Sequence, residues 1–359
     1  MNVAYFATDY FPFKSHKISE VIMLFKRQDI AIDLGTATVL IYVKGKGIVL
    51  REPSVVAVDT ETGAVQGVGF EAQRMLGRAP ESITVVRPLR DGVISDGDIT
   101  QQMLELFMKK AVPRRSIFKP RIIMCVPSGV TDVEQRSVLG AAQRLGAKHT
   151  FIMEEAKAAA IGADIDINQP HGTMIVDIGG GTTDIALLSL GGCVISKSVK
   201  AAGNKMDDDI VKYMRKKHNL LIGERTAEML KINIGSAWPR SETLHSEVMG
   251  RNLLTGLPKS IEVSSEEIHE ALQDSFDSIL SGILGVLDDA PPELAADIIE
   301  NGIVLTGGGS MLLGFDKLVS SATGVNCFVA DDAVSCVALG AGKCLDNLDY
   351  YDPAFSEEM

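Results

Sequence analysis

The 359-residue sequence contains no apolar run approaching the roughly 18 to 20 residues that span a bilayer, and no basic N-terminal stretch leading into an apolar one. Neither a spanning helix nor secretion is expected. Basic charge is also short: Lys plus Arg number 35 against 47 Asp plus Glu, a formal net charge of −12. A broad electrostatic footprint for nucleic acid is therefore missing, and no nucleic-acid partner is expected. Aromatic residues are only 5%, but 46% hydrophobic and 23% charged residues are ordinary globular usage. That balance excludes disorder, collagen and coiled coil as descriptions of the whole chain. Cys125, Cys193, Cys327, Cys336 and Cys344 are odd in number, widely spaced and free of any C-x-x-C pair. They read as reduced thiols of a cytosolic protein, four of them in apolar runs.

Familiar short motifs are missing too. Gly340-Ala341-Gly342-Lys343 lacks the first glycine and the hydroxyl of G-x-x-x-x-G-K-[ST], and no G-x-G-x-x-G, H-E-x-x-H or G-x-S-x-G occurs.

What is present begins with an unusual leader. Residues 1–28 crowd Phe6, Tyr10, Phe11 and Phe13, and then place Ile18, Val21, Ile22 and Phe25 on one helical stripe before Lys26 and Arg27. An ordinary packed helix, a membrane-surface helix, and translation beginning at Met23 all remain open for this segment.

From Asp29 onward the pattern is α/β. Ile30 to Asp33, Val39 to Val43 and Ile48 to Leu50 read as strands separated by glycine turns. Ile122 to Val126 and Ile303 to Thr306 read as buried strands. Helices are expected over Asp132 to Leu145, with Val133, Val138, Leu139 and Ala142 inward, and over 207–218, 224–234 and 265–287. Residues 236–262 read as loops and short strands.

The strand–Asp–glycine turn–strand sequence around Asp33 recurs at 174–188, with Asp177 in the matching place. Self-similarity at half-chain spacing marks an internal duplication, and two α/β lobes facing each other across a cleft follow from it. Three glycine-rich turns after apolar strands offer backbone N–H groups able to cradle phosphate oxygens: Gly35-Thr36-Ala37-Thr38, Gly179-Gly180-Gly181-Thr182 and Gly307-Gly308-Gly309-Ser310. Asp33 and Asp177 suit a Mg²⁺ ion held through water. Glu154 and Glu155 open an alanine-rich helix, where they either complement the helix dipole or place a carboxylate beside the water attacking a γ-phosphate.

Ile32 to Thr36, Glu154 to Gly162, Asp177 to Asp184, Leu305 to Gly309 and Ala338 to Gly342 resemble the five nucleotide-site motifs of the actin and sugar-kinase superfamily. Within it the chain resembles the MreB family of bacterial actin homologues. Val43 to Val49, Glu52 to Val56, Arg87-Pro88, Asp91 to Ile94 and Ile234 to Ala237 match as well, so the likeness runs from about 29 to 348. It implies an α/β, actin-like, duplicated ribonuclease-H-like fold with two lobes, or four subdomains, around a nucleotide cleft. Subdomain IA would comprise 29–56, 93–169 and 336–350, IB 57–92, IIA 170–205 and 270–335, and IIB 206–269. The N-terminal extension 1–28 and the tail 351–359 would flank them.

The resemblance further implies ATP and Mg²⁺ as cofactors and slow ATP hydrolysis coupled to polymerisation. Thr36 and Ala37 with Gly180, Gly181 and Thr182 would meet the phosphates. Glu228, Met229, Leu230 and Lys231 would lie near ribose and base, and Gly308, Gly309, Ser310 and Met311 under the adenine. Glu155 would orient the lytic water, assisted by Thr182. Paired protofilaments on the inner face of the cell membrane, working with membrane proteins of the cell-elongation machinery to organise peptidoglycan synthesis and rod shape, complete the expectation. Ile117-Phe118 among Lys109, Lys110, Arg114, Arg115, Lys119 and Arg121 would be the membrane contact, an apolar tip with a cationic flank. A soluble small-molecule kinase of the same superfamily is the alternative. Ala156 and Lys157 stand where the family usually has proline and methionine, Thr38 where asparagine is common and Asp184 where glutamate is common.

Overall fold

The computed structural model describes residues 28–112, 117–348 and the short strand Phe355–Ser356. Its two large sheets share one plan. In the first, β1 (Ile30–Leu34), β2 (Thr38–Val43) and β3 (Gly47–Pro53) run antiparallel, and β4 (Arg121–Val126) and β5 (His149–Glu154) add parallel strands on the other side of β1, giving the order β3-β2-β1-β4-β5. Phe355–Ser356 extends this sheet beyond β5. In the second, β6 (Thr173–Ile178), β7 (Thr183–Ser189) and β8 (Gly192–Val199) are the antiparallel trio, and β9 (Ile303–Thr306) and β10 (Cys327–Val329) are the parallel pair, in the order β8-β7-β6-β9-β10. The duplication visible in the sequence is thus a duplication of topology.

Each sheet is covered on both faces. Along β1, Ile30, Ile32 and Leu34 enter the core of the first lobe, while Ala31 faces a separate apolar layer between the sheets. Along β6, Met174, Val176 and Ile178 enter the core of the second lobe, while Ile175 faces the same intermediate layer. Because side chains alternate with period two, Asp33 follows Ala31 and Asp177 follows Ile175 onto that shared face. Strand alternation alone therefore turns both carboxylates towards the space between the lobes.

The intermediate layer is built on helices Glu155–Gly162 and Cys336–Asp346. They approach at backbone contact: a Cβ on Gly340 would overlap the carbonyl oxygen of Ala158, and one on Gly162 would overlap that of Cys336. The chain passes between the lobes twice, at 163–172 and again at 330–335. Smaller three-stranded sheets, Val56–Asp59 with Val65–Val68 and Ile83–Val86, and Leu220–Leu221 with His245–Asn252 and Pro258–Ser264, sit on the first and second lobes respectively.

Several expectations need correction. The helix expected over 265–287 is two helices, Ser265–Ala271 and Gln273–Asp288, and Ser264 caps the first through a reciprocal capping box with Glu267. The helix expected from 207 starts at Gly203. Residues 236–262 hold the eight-residue strand His245–Asn252 and most of Pro258–Ser264, because alternating burial along one exposed hairpin carries little apolar signal. Val133 is 73% exposed, since it lies in the first turn of Asp132–Arg144 and that helix packs through Val138, Ala141 and Ala142. The five cysteines are free, and all but Cys193 are buried. The Ile18 to Phe25 stripe lies outside the described residues. Among the described residues, no helix is long and apolar enough to cross a membrane.

Two glycine substitutions separate close packing from open helix surface. Gly340→Val should lower unfolding free energy by about 1–3 kcal/mol, because the new side chain meets backbone. Gly140→Ala, with open space around its Cβ on helix Asp132–Arg144, should raise it by about 0.5–1 kcal/mol. Urea denaturation of the two variants against the parent chain measures both.

Candidate functional site

Four chain reversals converge on one cavity of about 370 Å³ between the lobes. The β1–β2 turn brings Gly35, Thr36, Ala37 and Thr38, and its duplicate between β6 and β7 brings Gly179, Gly180, Gly181 and Thr182. Gly203 and Asn204 open helix Gly203–His218, and Gly307, Gly308 and Gly309 follow β9. The first two turns touch each other. A Cβ on Gly180 would overlap that of Ala37, and one on Gly181 would crowd the Thr36 hydroxyl. Glycine is required there because a side chain would push the two lobes apart.

Hydrogen bonds fix the turns. Gly179 N–H donates to the Thr182 carbonyl at 2.9 Å, closing the second turn on itself. The N–H groups of Gly203 and Asn204 donate to the carbonyls of Gly179 and Gly180 at 3.1 and 2.8 Å, seating the helix against the same turn. The Thr36 hydroxyl accepts from Gly92 N–H at 2.8 Å. Gly307, at φ +80°, packs against the Ile178 carbonyl, where a side chain would also strike Asp177.

Behind the turns lie four buried carboxylates. Burial, then the charge of Asp177, raises Asp33 to about 8. Burial raises Asp177 to about 7 despite a 2.8 Å hydrogen bond from the Thr306 hydroxyl. Burial, then Asp184, Asp33 and Asp177, pushes Glu155 well above the ordinary carboxylate range. Burial also lifts Asp184 to about 6, even though its Oδ1 accepts from Ser128 N–H at 2.8 Å. No cationic side chain offsets Asp33, Asp177 or Glu155 among the described residues, so nothing nearby favours their ionised forms and the empty cluster holds on to its protons. Also among these residues, no group of three or more His, Cys, Asp or Glu is arranged to ligate a metal directly.

Beside the second turn, Lys231 Nζ pairs with Asp207 at 2.7 Å and donates to the Gly203 carbonyl at 2.8 Å. Glu228, Met311, Leu312, Leu313 and Arg240 also line the cavity. Lys157 Nζ lies 3.6 Å from Glu154 Oε1, an ion pair at the start of a helix that has no side-chain cap.

Most of the expected residues are therefore brought together. Asp33, Gly35, Thr36, Ala37, Thr38, Glu155, Asp177, Gly179, Gly180, Gly181, Thr182, Glu228, Lys231, Gly307, Gly308, Gly309 and Met311 all line the cavity. Met229, Leu230 and Ser310 do not. Met229 points outward, Leu230 is in the second-lobe core, and the Ser310 hydroxyl is turned back to the Gly307 carbonyl at 2.7 Å. Gly92, Gly203, Asn204, Asp207 and Arg240 line the cavity without having been anticipated. The Ala201-Ala202-Gly203 run before a helix was the available signal for one of them; Asp207 and Arg240 enter through tertiary placement alone.

The expected membrane loop lies elsewhere, with Ile117 63% and Phe118 51% exposed. Its flank is less free than the sequence implied. Arg121 pairs with Asp29 at 2.5 Å and Lys110 with Glu52 at 3.1 Å, while Arg114 and Arg115 lie outside the described residues.

Comparison with known proteins places this arrangement. The family model described as MreB/Mbl protein matches residues 27–352. The chain is 51% identical over 322 residues to the cell shape-determining protein Mbl of Bacillus cereus, covering 90% of this chain and 97% of that protein. It is 48% identical over 337 residues to the cell shape-determining protein MreB of Escherichia coli, covering 92% and 97%. Among solved structures, MreB5 of Spiroplasma citri bound to AMPPNP superposes with a TM-score of 0.87 at 40% identity, covering 90% of this chain and 97% of that one. With a relative of 51% identity aligned over nine-tenths of its length and the family model spanning nearly all of the described residues, the chain belongs to the MreB/Mbl family of actin-like proteins.

Proposed function

We propose that this chain is an ATP-binding and ATP-hydrolysing cytoskeletal protein that polymerises into membrane-associated filaments, organises cell-wall synthesis and maintains rod shape. The observation that carries the nucleotide part is the pair of duplicated glycine turns meeting across one cavity, with a buried aspartate behind each. Turn amides suit the β- and γ-phosphate oxygens, and Glu228 and Lys231 offer polar groups to the ribose and base. The AMPPNP bound to the Spiroplasma citri relative supports a nucleotide here. The kinase alternative draws no support from relatives named as cell shape-determining proteins.

The acidic cluster fits Mg²⁺. Asp33 and Asp177, one behind each glycine turn, would hold it through water. The ion would offset their charge and that of the phosphates. Glu155, at the first turn of its helix and facing the phosphate turns, would orient the attacking water, and Thr182 would assist from the second turn. Within the proposed division, 57–92 and 206–269 form the outer subdomains IB and IIB. Self-association into paired protofilaments, attachment to the inner membrane face through Ile117 and Phe118, and contact with membrane proteins of cell elongation belong to the same reading.

Replacing Glu155 with Gln should leave ATP binding nearly intact and slow phosphate release by on the order of a hundredfold. Retention of the parent rate in a phosphate-release assay would remove Glu155 from the reaction. Phe118→Ser should reduce pelleting with anionic liposomes, and undiminished pelleting would reject that loop as the membrane contact.

The pH dependence has a definite sign. Asp33, about 8, and Asp177, about 7, keep protons in the folded metal-free protein that the unfolded chain releases near pH 4. Their contribution to stability is complete below the unfolded value and is lost as pH rises through about 7 to 8. Nucleotide-free protein should therefore lose denaturation midpoint progressively from about pH 4 to 8 and level off above that, with Mg-ATP restoring it. Asp33→Asn should flatten the slope, as read by thermal melts across that range.

A further inference from the structure

Residues 87–92 connect the outer sheet of the first lobe to the cavity, and they touch the second lobe repeatedly. The segment runs into a hairpin in which Leu89–Arg90 pairs with Val93–Ile94. Its two-residue turn is Asp91-Gly92, with φ of +48° and +79°. Positive φ at both central residues is what a type I′ hairpin turn needs, and Asp-Gly is the pair that supplies it at low cost. The tip is thus held in shape by local chemistry.

Its contacts then anchor it. Gly92 N–H donates to Thr36 Oγ1 on the first phosphate turn at 2.8 Å. The missing side chain of Gly92 lets the tip sit on Pro127 and beside Thr182 of the second lobe, where a Cβ would strike the proline ring. Ion pairs of opposite polarity flank the tip. Arg87 reaches Glu224 of the second lobe at 3.5 Å, and Asp91 faces Lys200 of that lobe at 3.9 Å. A second cavity of about 390 Å³, lined from both lobes, includes Arg87, Asp91 and Glu224 together with Thr36 and Asn204. Thr36 and Asn204 also line the nucleotide cavity.

The geometry points to residues 87–92 as a clasp between the lobes, closing the mouth of the nucleotide cavity and governing how fast nucleotide leaves. This rests on the ATP reading above. The tip is stiff and stays docked on the first lobe, so opening the cleft separates Arg87 from Glu224 and Asp91 from Lys200 together. Arg87–Glu224 is partly exposed and Lys200–Asp91 largely so, and each is weak alone, which suits a closure made and broken in every nucleotide cycle. The opposite polarity of the two pairs also specifies register, because sliding one lobe along the other brings Arg87 towards Lys200 or Asp91 towards Glu224.

Release of a fluorescent ATP analogue loaded with Mg²⁺ and chased with unlabelled ATP tests this in two double-mutant cycles. Arg87→Gln and Glu224→Gln should each speed release about two- to fivefold, and the double variant should be no faster than the faster single one. Asp91→Asn and Lys200→Gln, all at exposed positions that leave the hairpin turn permitted, should behave alike. Release at the parent rate, or effects that multiply in both cycles, would overturn the clasp while leaving nucleotide binding in place. Failure of the parent chain to load the analogue would instead overturn the ATP reading itself.

Discussion

The arrangement depends on one close approach: Gly180 against Ala37 and Gly181 against Thr36, where two lobes meet without side chains between them. Everything polar in the cavity is placed by that contact. It brings the two turns within reach of one phosphate chain, and it also brings Asp33 and Asp177 close enough for the charge of one to resist ionisation of the other. The same feature that makes the site attractive to a cation thus makes it uncomfortable without one. Burial and repulsion raise the carboxylates, and a cation bound there would offset both effects.

The pair of small-residue helices behind the turns is the structural counterpart of that contact. Ala158, Gly162 and Gly340 let two backbones lie nearly against each other, so the apolar layer between the sheets is thin. A thin layer keeps the sheets near enough for side chains of length Asp or Glu to meet from opposite lobes. Asp184 illustrates the margin: its short side chain reaches Ser128 N–H on the loop after β4. The ion pair of Lys157 with Glu154 sits at the start of the first of these helices.

Much of this was legible in the sequence because it is periodic or local. The repeat of strand, Asp and glycine turn marked the duplication, and period-two alternation along β1 and β6 already put Asp33 and Asp177 on one kind of face. What escaped notice depends on tertiary placement. Arg240 and Asp207 reach the cavity from elements whose own patterns concern packing, and Ser310 turns away because its hydroxyl closes a tight turn. Val133 satisfies helical spacing but stands in the first turn, beyond the contact with the sheet. The exposed hairpin from His245 to Ser264 hid for a related reason: with few inward residues it offers no strong alternation.

The polypeptide crosses between the lobes at 163–172 and again at 330–335. Two covalent crossings, like two pins through a door, remove most of the ways in which one rigid body can move against another. Sliding and twisting about other axes would stretch one crossing or the other, which leaves rotation about the line joining them. The cavity reaches the second crossing at Val334, so its occupant acts close to that line, and points farther from the line sweep a longer arc. A displacement of a fraction of an ångström at the phosphate turns is therefore geared up at the periphery of the molecule, the part any neighbouring subunit would touch.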